Sequence, residues 1–303
     1  RHGNRIYSRS FLTESINNPF PSASPNPYVE DERDATDAER ELDEEFEEFE
    51  EDETVERERE IDDAELRQFE ERIKDSEAYE VEAEVFDEPT LRALYKLVSD
   101  GHVRAVGGVI SSGKEANIVE ADGREGEVAL KIYRVATSSF QDMRKYLEGD
   151  PRFEGARSKK ELVVEWVRRE FSNLRRASEA GVRVPEPIAH ERNVLVSEFI
   201  GEDGVRAPQI REVEIDNPET CYEVVVEYAS RLHDAGLVHG DLSEYNVLVH
   251  DGDLVVIDMG QTVRVEHPRA DDLLENDCGN VARFFSSLGV ETSRDEVLKR
   301  VTA

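Results

Sequence analysis

The most informative segment of the chain is His239-Gly240-Asp241-Leu242-Ser243-Glu244-Tyr245-Asn246. Twelve residues after Asn246 the chain reads Asp258-Met259-Gly260, and the turn His250-Asp251-Gly252-Asp253 between apolar segments predicts a β-hairpin that connects the two motifs. Asp241 can accept or orient the proton of an attacking hydroxyl, while Asn246 and Asp258 can offer oxygen ligands to Mg²⁺. The two motifs therefore predict phosphoryl transfer from ATP, with Mg²⁺ as the metal and Mn²⁺ as an alternative.

Both motifs match the catalytic signatures of protein kinases. The kinase pattern is H-R-D-L-x-x-x-N followed by D-F-G, and this chain differs from it by Gly240 and Met259. The segment Val128-Ala129-Leu130-Lys131 matches the kinase V-A-I-K strand, whose Lys contacts the nucleotide phosphates and pairs with a helix Glu. Glu170 is the predicted partner, because it lies on the apolar face of a helix, where a carboxylate needs a cation. The predicted catalytic residues are Asp241, Lys131 and Asp258.

The order of predicted elements indicates an α+β, bilobal fold of the protein-kinase type with a trimmed C-terminal lobe. Residues 85–200 are predicted to form the N-terminal lobe, with a helix after Pro89, a three-stranded antiparallel meander, and a long helix that begins with a capping box at Ser158. The polar segment 137–160 is predicted to be a mobile insertion. Residues 201–303 are predicted to form the C-terminal lobe, which contains the catalytic loop and the metal-binding Asp.

A segment rich in Gly and Ser lies between the first two predicted strands, at Gly107-Gly108-Val109-Ile110-Ser111-Ser112-Gly113-Lys114-Glu115. Its spacing matches the Walker A pattern G-x-x-x-x-G-K, but Glu115 stands where that loop needs a Ser or Thr for Mg²⁺. A strand-like sequence follows, whereas a Walker A loop precedes a long helix, so a P-loop NTPase is the less favoured interpretation. The segment is instead predicted to cover nucleotide phosphates with backbone N–H groups and with the hydroxyls of Ser111 and Ser112.

Three parts of the chain resemble the RIO family of atypical serine/threonine kinases. Ser111-Ser112-Gly113-Lys114-Glu115-Ala116-Asn117 is similar to that family's S-T-G-K-E-A-N phosphate loop, and its ending resembles the first RIO subfamily. The catalytic and metal motifs, and the segment from His267-Pro268 to Phe284-Phe285, are similar to the family's other signatures. The resemblance covers about residues 85–290. It implies a trimmed kinase fold with a flexible insertion, and a role in small ribosomal subunit maturation that is coupled to ATP turnover.

The resemblance also assigns residues to an ATP site. The predicted ATP-binding residues are Ser111, Ser112, Gly113, Lys114, Glu115, Ala129, Lys131, Glu170, Glu198, Ile200 and Leu248, and the predicted metal ligands are Asn246 and Asp258. Within this set Glu198 and Ile200 would offer hinge backbone groups to adenine. Ala129 would lie above the base and Leu248 below it.

The family pattern carries two further implications about phosphoryl groups. It implies self-phosphorylation in the insertion, where the candidates are Thr137, Ser138, Ser139 and Ser158. It also suggests that the phosphoryl group can rest on Asp258, a carboxylate beside the metal. Ser243 stands where ordinary serine/threonine kinases place a Lys that stabilises the γ-phosphate charge, so transfer to generic peptides is predicted to be weak.

Charge is distributed unevenly along the chain, whose formal net charge is −33. Residues 1–88 carry 32 acidic and 10 basic side chains, and residues 1–84 are predicted to be an acidic, largely disordered tail. The remaining chain is also acidic, and the whole chain contains 30 Arg but only 8 Lys. Excess acid together with few Lys suggests a protein from a high-salt, haloarchaeal cell. An alternative role for the acidic run is the binding of basic ribosomal proteins.

Composition also bears on location and partners. No run approaches the roughly 18 apolar residues of a membrane helix, the N-terminus lacks a classical secretory signal, and two cysteines predict a reducing, cytoplasmic setting. The negative charge argues against nucleic-acid binding by bulk attraction, so the expected partners are ATP and a small-subunit precursor or its proteins.

Two other functions stay open at this point. One is a small-molecule phosphotransferase of the aminoglycoside or choline type, against which the Ser-Gly-Lys-Glu-Ala-Asn loop argues. The other is an ATP-binding ribosome assembly factor without catalytic activity, against which the intact Lys131, Asp241, Asn246 and Asp258 argue.

Overall fold

The structure is a computed structural model that describes residues 86–134, 140–150 and 158–303. The acidic tail predicted at residues 1–84 lies outside the described residues, as do the candidate phosphorylation sites Thr137, Ser138 and Ser139. Along the described parts of the chain, no helix is both long enough and apolar enough to cross a lipid bilayer.

A five-stranded antiparallel sheet with one helix packed against it forms the N-terminal part of the fold. Its elements are α1 (Glu88–Ser99), β1 (Val103–Ser112), β2 (Ala116–Gly123), β3 (Glu127–Tyr133), β4 (Pro187–Glu191) and β5 (Val194–Glu198), in the sheet order β1-β2-β3-β5-β4. The predicted meander is confirmed, because β1 pairs with β2 and β2 pairs with β3, both antiparallel. α1 begins at the Asp87 cap, whose side chain accepts a hydrogen bond from the Thr90 N–H at 3.0 Å.

Two helices follow β3 before the sheet resumes: α2 (Phe140–Leu147) and α3 (Lys159–Glu179). The segment 137–160, predicted to be a mobile polar insertion, contains the helix α2 in its central part, and its mobility stays a prediction. Met143 and Leu147 are four residues apart and therefore share a helix face, and each side chain is buried. α3 begins at the predicted cap, where the Ser158 hydroxyl accepts a hydrogen bond from the Glu161 N–H at 3.1 Å.

The C-terminal part combines short β-hairpins with three helices. In chain order it contains β6 (Gly201–Glu202), β7 (Val205–Arg206), a 3₁₀ turn (Ile210–Glu212), α4 (Pro218–Asp234), β8 (Leu237–Val238), β9 (Val247–His250), β10 (Asp253–Val256), a second 3₁₀ turn (Met259–Gln261), β11 (Val263–Arg264), α5 (Ala270–Ser287) and α6 (Arg294–Val301). The predicted hairpin between the catalytic and metal motifs is β9–β10.

Two large hydrophobic cores hold these elements together. One lies between α1 and the sheet, and it includes Leu94 and Leu130. The other joins α2 and α3 to the C-terminal helices, and it includes Leu147, Trp166 and Phe285. Because α3 contributes to the second core and also lies against the sheet, it connects the two parts of the molecule.

Candidate active site

A charge cluster, buried at Glu170 and partly exposed at Asp258, lies where α3 meets β3. The Lys131 Nζ donates to Glu170 Oε1 at 2.6 Å and to Asp258 Oδ1 at 2.8 Å, and the Tyr133 hydroxyl donates to Glu170 Oε2. Burial lowers the pKa of Lys131, but the charges of Asp258 and Glu170 outweigh it and raise the pKa well above its usual value. The Lys131 charge lowers the pKa of Asp258 in turn. The predicted ion pair is therefore present, and Lys131 also links α3 to the metal motif.

The catalytic loop between β8 and β9 is braced by a buried histidine. The neutral His239 ring lies with Nε2 3.1 Å from the Ile257 carbonyl, to which it donates, and Nδ1 accepts from the Asp241 N–H at 3.2 Å. Burial lowers the pKa of His239 to about 4, so the neutral form persists at neutral pH. His239 therefore fixes the backbone at Asp241.

A residue that sequence reasoning missed, Asp277 of α5, supports the same loop. Its carboxylate accepts hydrogen bonds from the Gly240 N–H at 2.8 Å and from the Leu242 N–H at 2.7 Å, and burial raises its pKa to about 7. Gly240 has a φ of +83°, and a Cβ there would lie 2.7 Å from the Gln261 carbonyl oxygen, so the kinase Arg cannot occupy this position. The sequence did carry a signal for Asp277, because it is an acidic residue on the apolar face of a helix. The same kind of signal identified Glu170.

The metal motif is held in an unusual backbone conformation. Asp258 has a φ of 64° and lies in the left-handed region, which is uncommon for residues other than Gly and often marks functional sites. Two side chains of α3 stabilise the turn that follows. Arg169 Nη2 donates to the Gly260 carbonyl at 2.6 Å, and Asn173 Nδ2 donates to the carbonyls of Met259 and Thr262, each at 3.2 Å.

The predicted metal ligands offer the oxygens that Mg²⁺ requires. Asn246 Nδ2 donates to the Asp241 carbonyl at 2.8 Å and to Asp241 Oδ2 at 3.0 Å, which leaves Asn246 Oδ1 as an acceptor. One Asp258 oxygen contacts Lys131, and the side chain is 45% exposed, so the other can bind a metal. No group of three or more His, Cys, Asp or Glu side chains suited to a metal ion occurs among residues 86–134, 140–150 and 158–303. Two oxygen ligands fit Mg²⁺, which usually keeps waters and substrate phosphates as its other ligands.

The predicted phosphate loop divides between the two faces of the sheet. Ser111 pairs across the sheet with Ile118, which pairs with Lys131, so Ser111 lies on the Lys131 face. Ser112 lies on the opposite face, where its hydroxyl donates to Asn117 Oδ1 at 2.6 Å and accepts from Arg134 Nη2 at 2.9 Å. The Ser112 hydroxyl is thus hydrogen-bonded to side chains of the sheet. Of the two serines, Ser111 lies on the face that carries the Lys131 charge cluster.

The turn of this loop consists of Gly113, Lys114 and Glu115. The Gly113 N–H donates to the Ala116 carbonyl at 2.9 Å, and the Glu115 carbonyl accepts from the Arg134 N–H at 2.9 Å. Lys114 is exposed and carries its charge at the tip. A strand follows directly, as predicted, and this geometry differs from a Walker A loop, which leads into a helix.

Several predicted adenine-site residues lie around a small apolar cluster. Ile200 and Leu248 pack there with Ala207 and Val255, whereas Ala129 lies in the sheet beside Ser197. The Ile200 carbonyl accepts from the Ala207 N–H at 2.8 Å, and the Glu198 N–H donates to the Glu186 carbonyl at 2.8 Å. The Glu198 carboxylate forms a bidentate pair with Arg183, at 2.6 and 2.7 Å, and so has a structural role.

These features together define a bilobal kinase fold, with a Lys–Glu pair, a catalytic loop and a metal motif at one site. Residues 116–297 match the model of the RIO domain. The chain is 57% identical over 215 residues to a RIO-type serine/threonine-protein kinase Rio1 of Haloferax volcanii, covering 70% of this chain and 74% of that protein. It is 40% identical to the Rio1 kinase of Methanocaldococcus jannaschii, with the same coverage. The chain belongs to the RIO family of atypical serine/threonine protein kinases, and it is of the Rio1 type.

A solved structure supports the fold. A Rio2 kinase from Chaetomium thermophilum, described as an ADP/Mg²⁺–phosphoaspartate complex, superposes with a TM-score of 0.52 at 24% identity, over 69% of this chain and 65% of that one. The acidic composition predicted for a high-salt cell also agrees with the Haloferax relative.

We predict that acid weakens the fold through His239. Its folded pKa of about 4 lies below the unfolded value of 6.5, so the stability it contributes is complete above pH 6.5 and is lost as pH falls towards 4, by at most about 1.4 kcal/mol per pH unit. His239→Asn keeps a side-chain acceptor but does not titrate. Chemical unfolding at pH 7 and pH 5 should show a smaller stability gap between wild type and variant at pH 5.

His190 provides the matched control, because burial lowers its pKa to about 4 as well and it packs against Phe171. As for His239→Asn, the stability gap between wild type and His190→Asn should be smaller at pH 5 than at pH 7. The pH dependence of turnover in His190→Asn should match that of the wild type. Stability curves that run parallel for wild type and His239→Asn would contradict the prediction.

Proposed function

We propose that the chain binds ATP with Mg²⁺ at this site and transfers the γ-phosphoryl group to serine or threonine hydroxyls, to its own chain or to water. The observation that carries the proposal is the Lys131 ammonium held between the carboxylates of Glu170 and Asp258, 2.6 and 2.8 Å away. A cation fixed in this way between the phosphate loop and the metal motif is suited to binding phosphates. The Rio2 structure described with ADP and Mg²⁺ supports the same use of nucleotide and metal here.

Each residue has a distinct role in the proposed reaction. Lys131 binds and orients the α- and β-phosphates, and the Glu170 carboxylate fixes its position. Asp241 accepts or orients the hydroxyl proton, and burial together with the charge of Asp258 raises its pKa, which favours this role. Asn246 and Asp258 would hold Mg²⁺, which when bound neutralises the charge of the β- and γ-phosphates. Ser111, Gly113, Lys114 and Glu115 would cover the phosphates from above.

The proposed partners follow from the family rather than from the geometry. We infer that the chain acts in maturation of the small ribosomal subunit in the cytoplasm, with a precursor particle or its basic proteins as the partner. Sedimentation of the full chain with small-subunit precursors should depend on the bound nucleotide. Equal association with ATP, with ADP and without nucleotide would count against this role.

The activity itself is tested with γ-labelled ATP, Mg²⁺ and high salt. Pure protein should release labelled phosphate and label its own chain, whereas an aminoglycoside and choline added as acceptors should stay unlabelled. Rapid labelling of either small molecule would favour a small-molecule phosphotransferase. ATP binding without release or transfer would favour a non-catalytic assembly factor.

We predict that transfer to unrelated peptides is slower than phosphate release. Ser243 stands where ordinary kinases place a Lys two residues after the catalytic Asp, and loss of one positioned cation costs about 10²–10³ in rate. With no acceptor nearby, the phosphoryl group is proposed to rest on Asp258.

The measurement compares labelled phosphate with label on a basic model peptide, for wild type and Ser243→Lys. The variant should raise peptide transfer, and Ser243→Ala should not. Multi-turnover peptide phosphorylation by wild type that exceeds phosphate release would refute the prediction. An unchanged transfer rate in Ser243→Lys would remove its stated cause.

A further inference from the structure

The helix α2, in the segment predicted to be mobile, is anchored by apolar contacts. Met143 and Leu147 are each 1% exposed and belong to the core that joins α3 to the C-terminal helices. The Tyr146 ring lies edge-on to Trp166 of α3, with ring centroids 6.0 Å apart. Such burial gives α2 a defined position beside α3.

Two polar side chains connect α2 to the turn Met259–Gln261, which follows Asp258 and is called the metal loop below. The Tyr146 hydroxyl donates to Gln261 Oε1 at 2.8 Å. The Arg169 guanidinium donates from Nη1 to the Tyr146 carbonyl and from Nη2 to the Gly260 carbonyl, both at 2.6 Å. Because the guanidinium is planar, these two bonds fix the distance between the end of α2 and the metal loop.

The other side of the α2 terminus contacts the segment before α5. The His267 ring Nε2 lies 3.1 Å from the Glu148 carbonyl, and the Arg269 guanidinium lies 5.0 Å from the Tyr146 ring centroid. Gly149 has a φ of +104°, and a Cβ there would lie 2.7 Å from the Pro268 ring. The end of α2 is therefore enclosed between the metal loop and this segment.

We propose that α2 is a positioning element for the metal loop, and that Tyr146 and Arg169 are the positioning residues that set the affinity of Asp258 for Mg²⁺. The proposal rests on the proposed function, because it takes Asp258 as a metal ligand. Asp258 needs support in its left-handed backbone conformation, and the contacts from α2 and Arg169 fall on Gly260 and Gln261, two and three residues after it. Displacement of α2 would release that support.

The test uses Tyr146→Phe, which removes the hydroxyl and keeps the ring. In the protein without nucleotide, hydrogen exchange at the backbone amides of 258–262 should become about fivefold faster, which corresponds to loss of one hydrogen bond. With nucleotide, the Mg²⁺ concentration that gives half-maximal ADP binding in calorimetry should rise by a similar factor. Gln261→Leu should have the same effect, and the two changes together should not add.

Tyr222→Phe is the matched control, since the Tyr222 hydroxyl also forms a side-chain hydrogen bond, with Thr292 Oγ1 at 2.8 Å, at the other end of the C-terminal part. It should leave both measurements unchanged. If hydrogen exchange at the amides of 258–262 were equally fast in Tyr146→Phe and in Tyr222→Phe, the positioning role would be overturned. Faster exchange with an unchanged Mg²⁺ midpoint would overturn the claim that α2 sets metal affinity. If wild type bound ADP without any Mg²⁺ dependence, the proposed function would fail, and exchange alone would still decide whether α2 positions the loop.

Discussion

An Asp241→Ala variant is expected to lose turnover by about 10²–10⁴-fold while its ATP affinity stays close to that of wild type. The Asp241 carboxylate accepts a hydrogen bond from Asn246, and its proposed partner is the hydroxyl that attacks, so its loss affects transfer rather than binding. Asp258→Ala is expected to abolish turnover as well, but through a different step. It removes a proposed metal ligand, and therefore Mg²⁺-dependent nucleotide affinity should fall together with the rate.

Turnover and calorimetric ATP binding, each with and without Mg²⁺, separate the two variants. Asp253→Ala serves as the control, because Asp253 is exposed at the start of β10 in the hairpin between the two motifs. It should match wild type in both measurements. Equal loss of ATP binding in Asp241→Ala and Asp258→Ala would disprove the division of roles.

The second large effect is expected from Lys131→Met. This change leaves the buried Glu170 carboxylate without its cation, and breaking a buried ion pair from one side costs about 3–5 kcal/mol of stability. It also removes the phosphate-binding charge, so turnover should be lost. Without Lys131 the pKa of Glu170 rises further, and a raised carboxyl pKa makes the fold less stable as pH increases. The destabilisation should therefore be greater at pH 8 than at pH 5.

A double variant separates stability from catalysis. Lys131→Met with Glu170→Gln removes both charges, so it should recover most of the lost melting temperature but none of the turnover. Lys96→Met is the control, since Lys96 forms a partly exposed pair with Glu191 at 2.9 Å, and pairs at the surface contribute about 0–1 kcal/mol. A Lys131→Met variant as stable as Lys96→Met would show that the cluster is not a coupled buried pair.

The sequence predicted the parts of the site that depend on local spacing. The catalytic loop, the hairpin and the metal motif form one continuous segment, so their geometry follows from turn chemistry and strand periodicity. The Lys131–Glu170 contact joins residues 39 apart, yet it was predictable, because a carboxylate on an apolar helix face needs a cation in the interior. The same reasoning applied to α5 would have identified Asp277.

Other features depend on tertiary contacts that local patterns do not encode. Met143 and Leu147 are two apolar residues in a polar segment, and they form a helix face only because a core is available to receive them. Ser111 and Ser112 look equivalent in the sequence, and as neighbours in a strand they take opposite faces, but only the pairing with β2 and β3 puts Ser111 on the Lys131 face. The left-handed conformation of Asp258 likewise depends on contacts from α3, which lies far away in sequence.

Anomalous diffraction from crystals grown with Mn²⁺ and a non-hydrolysable ATP analogue tests the site most directly. A metal peak within bonding distance of Asp258 and Asn246 Oδ1 is predicted, with the phosphates beside Lys131 and Ser111 and the adenine between Ala129 and Leu248. A metal bound elsewhere, or a nucleotide whose phosphates do not contact Lys131, would contradict the proposed ATP site.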